Sequence, residues 1–413
     1  MIHPLTKLRL SHVRTQAEAL GVWRDHWNEL HGYSFVLSER SGGNAMRLPA
    51  RMDFPEGGHL RSAFAHNNLW FLRHETISRT LEEGVIRLPI DYTIAFDSNV
   101  ASYLRAWMKG SSAPVISMLQ KVLLQLNEGR FNWDLIPFLL ERSEDFLAGR
   151  DSSQIYETAL ASEWLGCFNL EQFKKTGVVR PTLTQAEIEQ KARQALADWR
   201  QLLEKGQMDA IRHRHNLFHA SVAKMVLLQL ASPRPSSASG KLEQFLVFAD
   251  SELQCMSQLC ASAALEFFTL GGGFAPMAKL ANPAPDLRAR ARNVAWDFLQ
   301  LQWRQEFAGN HGRNGAFHIP LFLTFDRGLA KLADVFPQRS CLYGGKLRFP
   351  IFFQDYDFAS QVMPRYPGLG NVMAKVFTVE AHERRAMRLE KSPPDMPRII
   401  HRLETELVPF EHP

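Results

Sequence analysis

Apolar positions recur in two rhythms along this chain, and the point where one gives way to the other organises the rest. In YTIAFDSNVASYL, residues 92–104, a run rich in β-branched and aromatic residues ends at Asp97. Ser98 and Asn99 then open an apolar stretch, Val100 to Met108, at helical spacing. The pattern predicts strand, tight turn and helix, with an acid at the strand's exit. The same grammar returns in IPLFLTFDRGLAKLADVF, residues 319–336, where Asp326 leaves a strand and starts a helix. If the two strands lie parallel in one sheet, both carboxylates fall on one edge, where the ligand sites of open α/β sheets form. An aspartate between strand and helix is most often an N-cap. Two convergent acids, however, are the beginning of a metal site.

Elsewhere the pattern is mostly helical. TQAEALGVWRDHWNELHGY predicts a helix with Leu20, Trp23, Trp27 and Leu30 on one apolar face. A Gly- and Pro-punctuated loop, SGGNAMRLPARMDFPEGGH, follows, and residues 59–83 read as a further helix. Two more are predicted between 111 and 148: SAPVISMLQKVLLQLNEG, stopped by Gly129, and WDLIPFLLERSEDFLAG, on which Glu141, Glu144 and Asp145 share a face. Residues 150–285 read as helical throughout. A capping box opens at Thr184 with Glu187, SPRPSSASG forms the best linker, and KLEQFLVFADSELQCMSQLCASAALEFFTLGGG is one long helical segment. RARARNVAWDFLQLQWRQEFAG carries Asp297 in an apolar neighbourhood, and the loop NHGRNGAFH leads into the second strand. GGKLRFPIFFQDYDFASQV adds a possible strand with Asp355 and Asp357, and the tail past 378 is charged and helical in pattern.

Composition narrows the class. Apolar residues at 45% and charged residues at 22% describe a globular chain, not a disordered one, and 413 residues suffice for two or three structural units. No apolar run approaches the roughly 18 residues a spanning helix needs. MIHPLTKLRLSHVR has charges and no apolar h-region, so the expectation is a cytoplasmic protein without membrane attachment. Cys167, Cys255, Cys260 and Cys341 lack CxxC spacing, which argues against a zinc knuckle and fits reduced thiols. The net charge of +5 is compatible with a polyanionic partner.

With these residues in hand, the order strand–Asp-x-Asn–helix, acidic helix, Asp-bearing helix and strand–Thr-x-Asp–helix resembles the PIN-domain nucleases. AFDSN is similar to that family's opening motif and LFLTFDRGLAKLA to its late one. The resemblance covers about a third of the chain. It implies an α/β fold with a parallel-sheet core and extensive helical additions, helix-rich overall. Residues 1–89 would form a mainly helical cap, 90–148 the first part of the core and 149–285 a helical insertion. The second part of the core would be 286–377, and 378–413 a helical tail. It also implies a catalytic set of Asp97, Glu141, Asp297 and Asp326 holding Mg²⁺ or Mn²⁺, with Glu163 as the substitute for Glu141. Asn99 and Thr324 would fix the carboxylate rotamers. The substrate would be RNA, cut to leave a 5′-phosphate, and gripped by Arg288, Arg290 and Arg292. A charge run of that kind is ordinarily a solvated helix face.

Hard divalent ions suit this chemistry because they take carboxylate and water oxygens, activate water and neutralise phosphate charge. Two alternatives stand beside it. Arg214 and His219 form an R-x4-H arrangement similar to the metal-independent HEPN ribonuclease motif, and His215 and His219 stand at a spacing that can bind zinc, without a third ligand. A sheet domain that binds nucleic acid or protein and cuts nothing is the other. A homo-oligomer or a regulatory protein partner is compatible with each.

Overall fold

The computed structural model describes residues 2–46, 48–83, 90–126, 132–176, 180–234, 237–308, 317–347, 350–355 and 357–411. The predicted helix stop at Gly129, most of the lead-in GVIRLPI and most of the loop NHGRNGAFH lie outside them. Two units are distinguished. The first comprises residues 1–208, 303–326 and 337–355, the second 209–302, 327–336 and 356–413.

The first unit is α/β and contains ten strands: β1 Tyr33–Glu39, β2 Asn44–Ala45, β3 Arg51–Asp53, β4 His59–Ser62, β5 Asn68–Leu72, β6 Ile90–Phe96, β7 Asn132–Asp134, β8 Phe317–Thr324, β9 Gln338–Gly344 and β10 Ile351–Gln354. One sheet has the order β3-β4-β8-β6-β7 and the other β10-β9-β1-β5-β2. In the first sheet β6 runs parallel to β8, with Ile90 opposite Phe317 and Phe96 opposite Leu323, and parallel to β7. β4 pairs antiparallel with the other side of β8, and β3 antiparallel with β4. The expected parallel sheet is therefore mixed, and the second sheet is antiparallel throughout. β8 has the near-continuous burial of a central strand, because both its edges and both its faces are covered.

The N-terminal cap is corrected most. The segment read as a helix over 59–83 contains β4 and β5, and only His74–Glu83 is helical. β4 owes its place to β8, a partner far along the chain, which local spacing does not reveal. The first predicted helix is real over Gln16–Asp25, with a Thr15–Glu18 capping box, but it ends at Asp25. Trp23 and Leu30 are fully buried, whereas Leu20 and Trp27 remain 37% and 38% exposed; Trp27 and Leu30 lie past the helix, so the four do not form one helical face. Trp23 and Leu30 join Phe35, Leu37, Leu342 and Phe353 in a core beneath the antiparallel sheet. The two sheets are joined at Phe64 and Gln338, and Phe317 packs on Phe64, Phe71 and Tyr343 between them.

Two further expectations change. The predicted single helix over 133–149 is β7 followed by two short helices, Ile136–Glu141 and Ser143–Leu147, separated at Arg142. Glu141 thus closes one helix while Glu144 and Asp145 open another, and Asp145 is paired with Arg142 and Arg150. The insertion also divides differently. Ser152–Gly166 packs through Trp164 edge-on against Trp107 of Ser98–Met108 and belongs to the first unit.

The second unit is helical among its described residues. Its long apolar segment is two helices, Ala238–Ser251 and Gln258–Leu270, with Gln254 left-handed at the break and Ser257 capping the second. In the tail, Arg384, Arg385 and Arg388 converge on the single carboxylate of Asp250. No helix among the described residues is long and apolar enough to cross a membrane.

Leu30→Ala should cost about 2–5 kcal/mol in urea unfolding of the whole chain, as expected for a buried leucine. Leu20→Ala should cost roughly 1 kcal/mol or less. Equal losses at the two positions would restore the original helical face.

Candidate active site: the acidic edge of the mixed sheet

β6 and β8 end side by side, and the residues just beyond them form the site. Parallel registry carries Phe96 and Leu323 to the same level, and the Asp97 N–H continues the ladder by donating to the Leu323 carbonyl at 3.3 Å. Asp97 is the N-cap of Ser98–Met108, and its Oδ1 accepts the Val100 N–H at 2.6 Å. The capping role weighed from sequence is therefore real. It occupies one carboxylate oxygen. The other accepts a short hydrogen bond from the Thr324 hydroxyl, which in turn accepts the Asp326 N–H at 2.8 Å. Thr324 thus fixes the Asp97 carboxylate and the backbone that presents Asp326, which explains physically why a threonine precedes the acid by two positions.

Glu141 reaches this edge from the helix Ile136–Glu141, where its Oε2 accepts a short hydrogen bond from the Ser98 hydroxyl. Asp97 is only 3% exposed, Glu141 is half-buried and Asp326 is exposed. Burial, with a smaller contribution from the charges of Glu141 and Asp326, pushes the Asp97 carboxyl up to about 7 against the lowering effect of its Thr324 and Val100 hydrogen bonds. Two of the other three predicted acids therefore act on Asp97. Among the described residues no three His, Cys, Asp or Glu side chains are grouped to hold a metal ion by themselves.

The remaining predicted residues fall elsewhere. Asn99 is exposed in the first helical turn. Its expected positioning role is filled by its neighbours, because an N-cap carboxylate takes the N–H three positions on, and Ser98 faces Glu141. Ser98 is the residue that sequence reasoning passed over. Nothing local distinguishes it, since its partner is 43 positions away. Glu163 lies on Ser152–Gly166, beside Cys167. Asp297 belongs to the second unit, half-buried on the helix Leu287–Phe307.

The arginines expected to grip substrate are engaged within the second unit. Arg288 pairs with Glu411 at 2.8 Å, Arg290 with Asp286 at 2.7 Å and Arg292 with Glu404 at 2.9 Å. They hold the C-terminal tail and their own helix, so a substrate would have to displace these partners. His219 is 2% exposed, and its Nε2 has no hydrogen-bond partner among the described residues. Burial, with His215 and Arg292 nearby, lowers its pKa to about 3. The Glu404 carboxylate at 3.6 Å is beyond hydrogen-bond reach, and the neutral imidazole forms no ion pair with it. His215 stacks on Trp296 with ring centres 4.0 Å apart. A histidine buried and neutral in this way is poorly placed for proton transfer to RNA.

No family model, curated protein or solved structure matches this chain.

Thr324→Val should lower stability by about 2–3 kcal/mol in chemical denaturation, since it strips a donor from a buried carboxylate and an acceptor from an N–H. Asn99→Ala should change it by roughly 0.5 kcal/mol or less. His219 has its own signature. Its folded pKa lies below the unfolded value, so the stability it contributes is present above about pH 6.5 and is lost as pH falls towards 3. Between pH 6.5 and 4, urea unfolding of wild type should weaken more steeply than that of His219→Gln, by up to about 1.4 kcal/mol per pH unit.

Proposed function

We propose that the acidic edge formed by Asp97, Glu141 and Asp326 is the centre of a metal-dependent phosphodiester hydrolase acting on RNA, as the resemblance to PIN-domain nucleases implies. The observation that carries this reading is the meeting of Asp97 and Asp326 at the carboxyl ends of neighbouring parallel strands, with Glu141 charged against them. Ionised Asp97 is unfavourable in that setting, and a positive charge is what would relieve it. Mg²⁺ retains several waters and takes one or two carboxylates directly. Asp97 and Asp326 would be the carboxylates that hold it. When bound, such an ion would activate water and neutralise charge on the phosphate.

The chain's own groups have separate tasks in this proposal. Thr324 and the Val100 N–H hold Asp97 in one rotamer, so the carboxylate need not reorganise as charge develops. Asp326, exposed at the strand exit, faces solvent where a phosphate would approach. Glu141, held by Ser98, orients the attacking water and takes its proton. The net charge of +5 favours a polyanionic substrate.

The test is Mn²⁺-dependent cleavage of end-labelled single-stranded RNA. Asp97→Asn and Asp326→Asn should each reduce the rate by about a hundredfold or more, and Thr324→Val by about tenfold. His219→Ala should leave the rate within about threefold of wild type, because a buried neutral imidazole has no part in this chemistry. Cleavage that survives in both Asp variants, or that is lost only with His219, would falsify the proposal.

A further inference from the structure

The first unit holds a second feature that the acidic edge does not use: an open cleft of about 640 Å³ beside the antiparallel sheet. Its volume lies within the range of small-molecule sites. Three elements meet there. Ser38 comes from the end of β1 and Arg339 from the start of β9. These lie at neighbouring levels, since Leu37 is registered to Ser340. The third element is the N-terminus of Gln16–Asp25, whose first turn lines the cleft with Gln16 and Ala17.

The charges in the cleft do not balance. Arg14, Arg40 and Arg339 line it, against Glu39 and Asp355. Both acids are already engaged. Glu39 accepts the Gln16 N–H and the Trp70 indole N–H, each at 2.8 Å, and Asp355 lies 3.5 Å from His66. Arg339 is 2% exposed, and among the described residues it donates only to the Asp355 and Ser11 backbone carbonyls, at 3.1 and 2.7 Å. Its Nε has no acceptor among the described residues, and neither does the buried Ser38 hydroxyl have a partner. A buried guanidinium met only by neutral carbonyls is costly without a counter-charge, and buried polar atoms without partners are uncommon. Arg40 is exposed at the rim.

We propose that this cleft binds the phosphate group of a small molecule. Guanidinium and hydroxyl donors approach from β1, β9 and the loop after β1, which suits a tetrahedral oxyanion with several terminal oxygens better than a planar carboxylate. The site does not depend on the acidic edge and can be tested without any cleavage assay. In ³¹P NMR of inorganic phosphate titrated with the full chain at constant ionic strength, the line should broaden with wild type. The apparent affinity should fall at least tenfold in Arg40→Glu and several-fold in Ser38→Ala, with both variants retaining the wild-type circular dichroism spectrum. Absence of broadening, equal broadening in all three proteins, or displacement of phosphate by an equal concentration of acetate overturns the proposal.

Discussion

One hydroxyl ties together the two halves of the acidic edge. Thr324 ends β8, donates to the carboxylate that ends β6 and accepts the N–H of the acid two positions on. Each bond requires the others. If β6 slipped by one residue against β8, Asp97 would leave the reach of Thr324 and turn to the opposite face. The helix Ser98–Met108 would lose the cap that the same carboxylate provides. Strand register, helix start and site geometry are therefore a single constraint.

Charge meets charge differently at different places in the fold. In the second unit, carboxylates and guanidiniums are matched closely, as with Glu411 and Arg288 or Asp250 and its three arginines. Such pairs hold helices and tail in place and leave little net field. At the sheet edge of the first unit, the charges of Glu141 and Asp326 act on the buried Asp97 carboxylate and add to the effect of its burial.

The parts legible from sequence were those whose signal is local. Strand, acid and helix follow one another within residues 92–104 and again within 319–336, so both strand exits and their acids could be read directly. Thr324 was expected, from the resemblance, to fix a carboxylate rotamer, and the fold shows that the carboxylate is that of Asp97. What escaped was non-local. β4 is only four residues, HLRS, and becomes a strand because β8 pairs with it. β7 was hidden at the head of a helical pattern, and its pairing with β6 converts it. The three arginines of RARAR looked like an open basic face because the acids that meet them include the distant Glu404 and Glu411. Ser98 stood beside the more conspicuous Asn99, and only the fold shows which of the two has a carboxylate opposite it.

The order of strands in the mixed sheet bears on how the chain is made. β8 sits in the middle, between β4 and β6, yet it is the last of the five to leave the ribosome. Until then, the neighbouring edges of β4 and β6 have no native partner. Nascent chains at that stage present open strand edges to one another, a hazard for slow, long-range pairing. Truncation anywhere before residue 317 thus removes the keystone of the sheet, and the fragment left behind is a candidate for chaperone capture or aggregation.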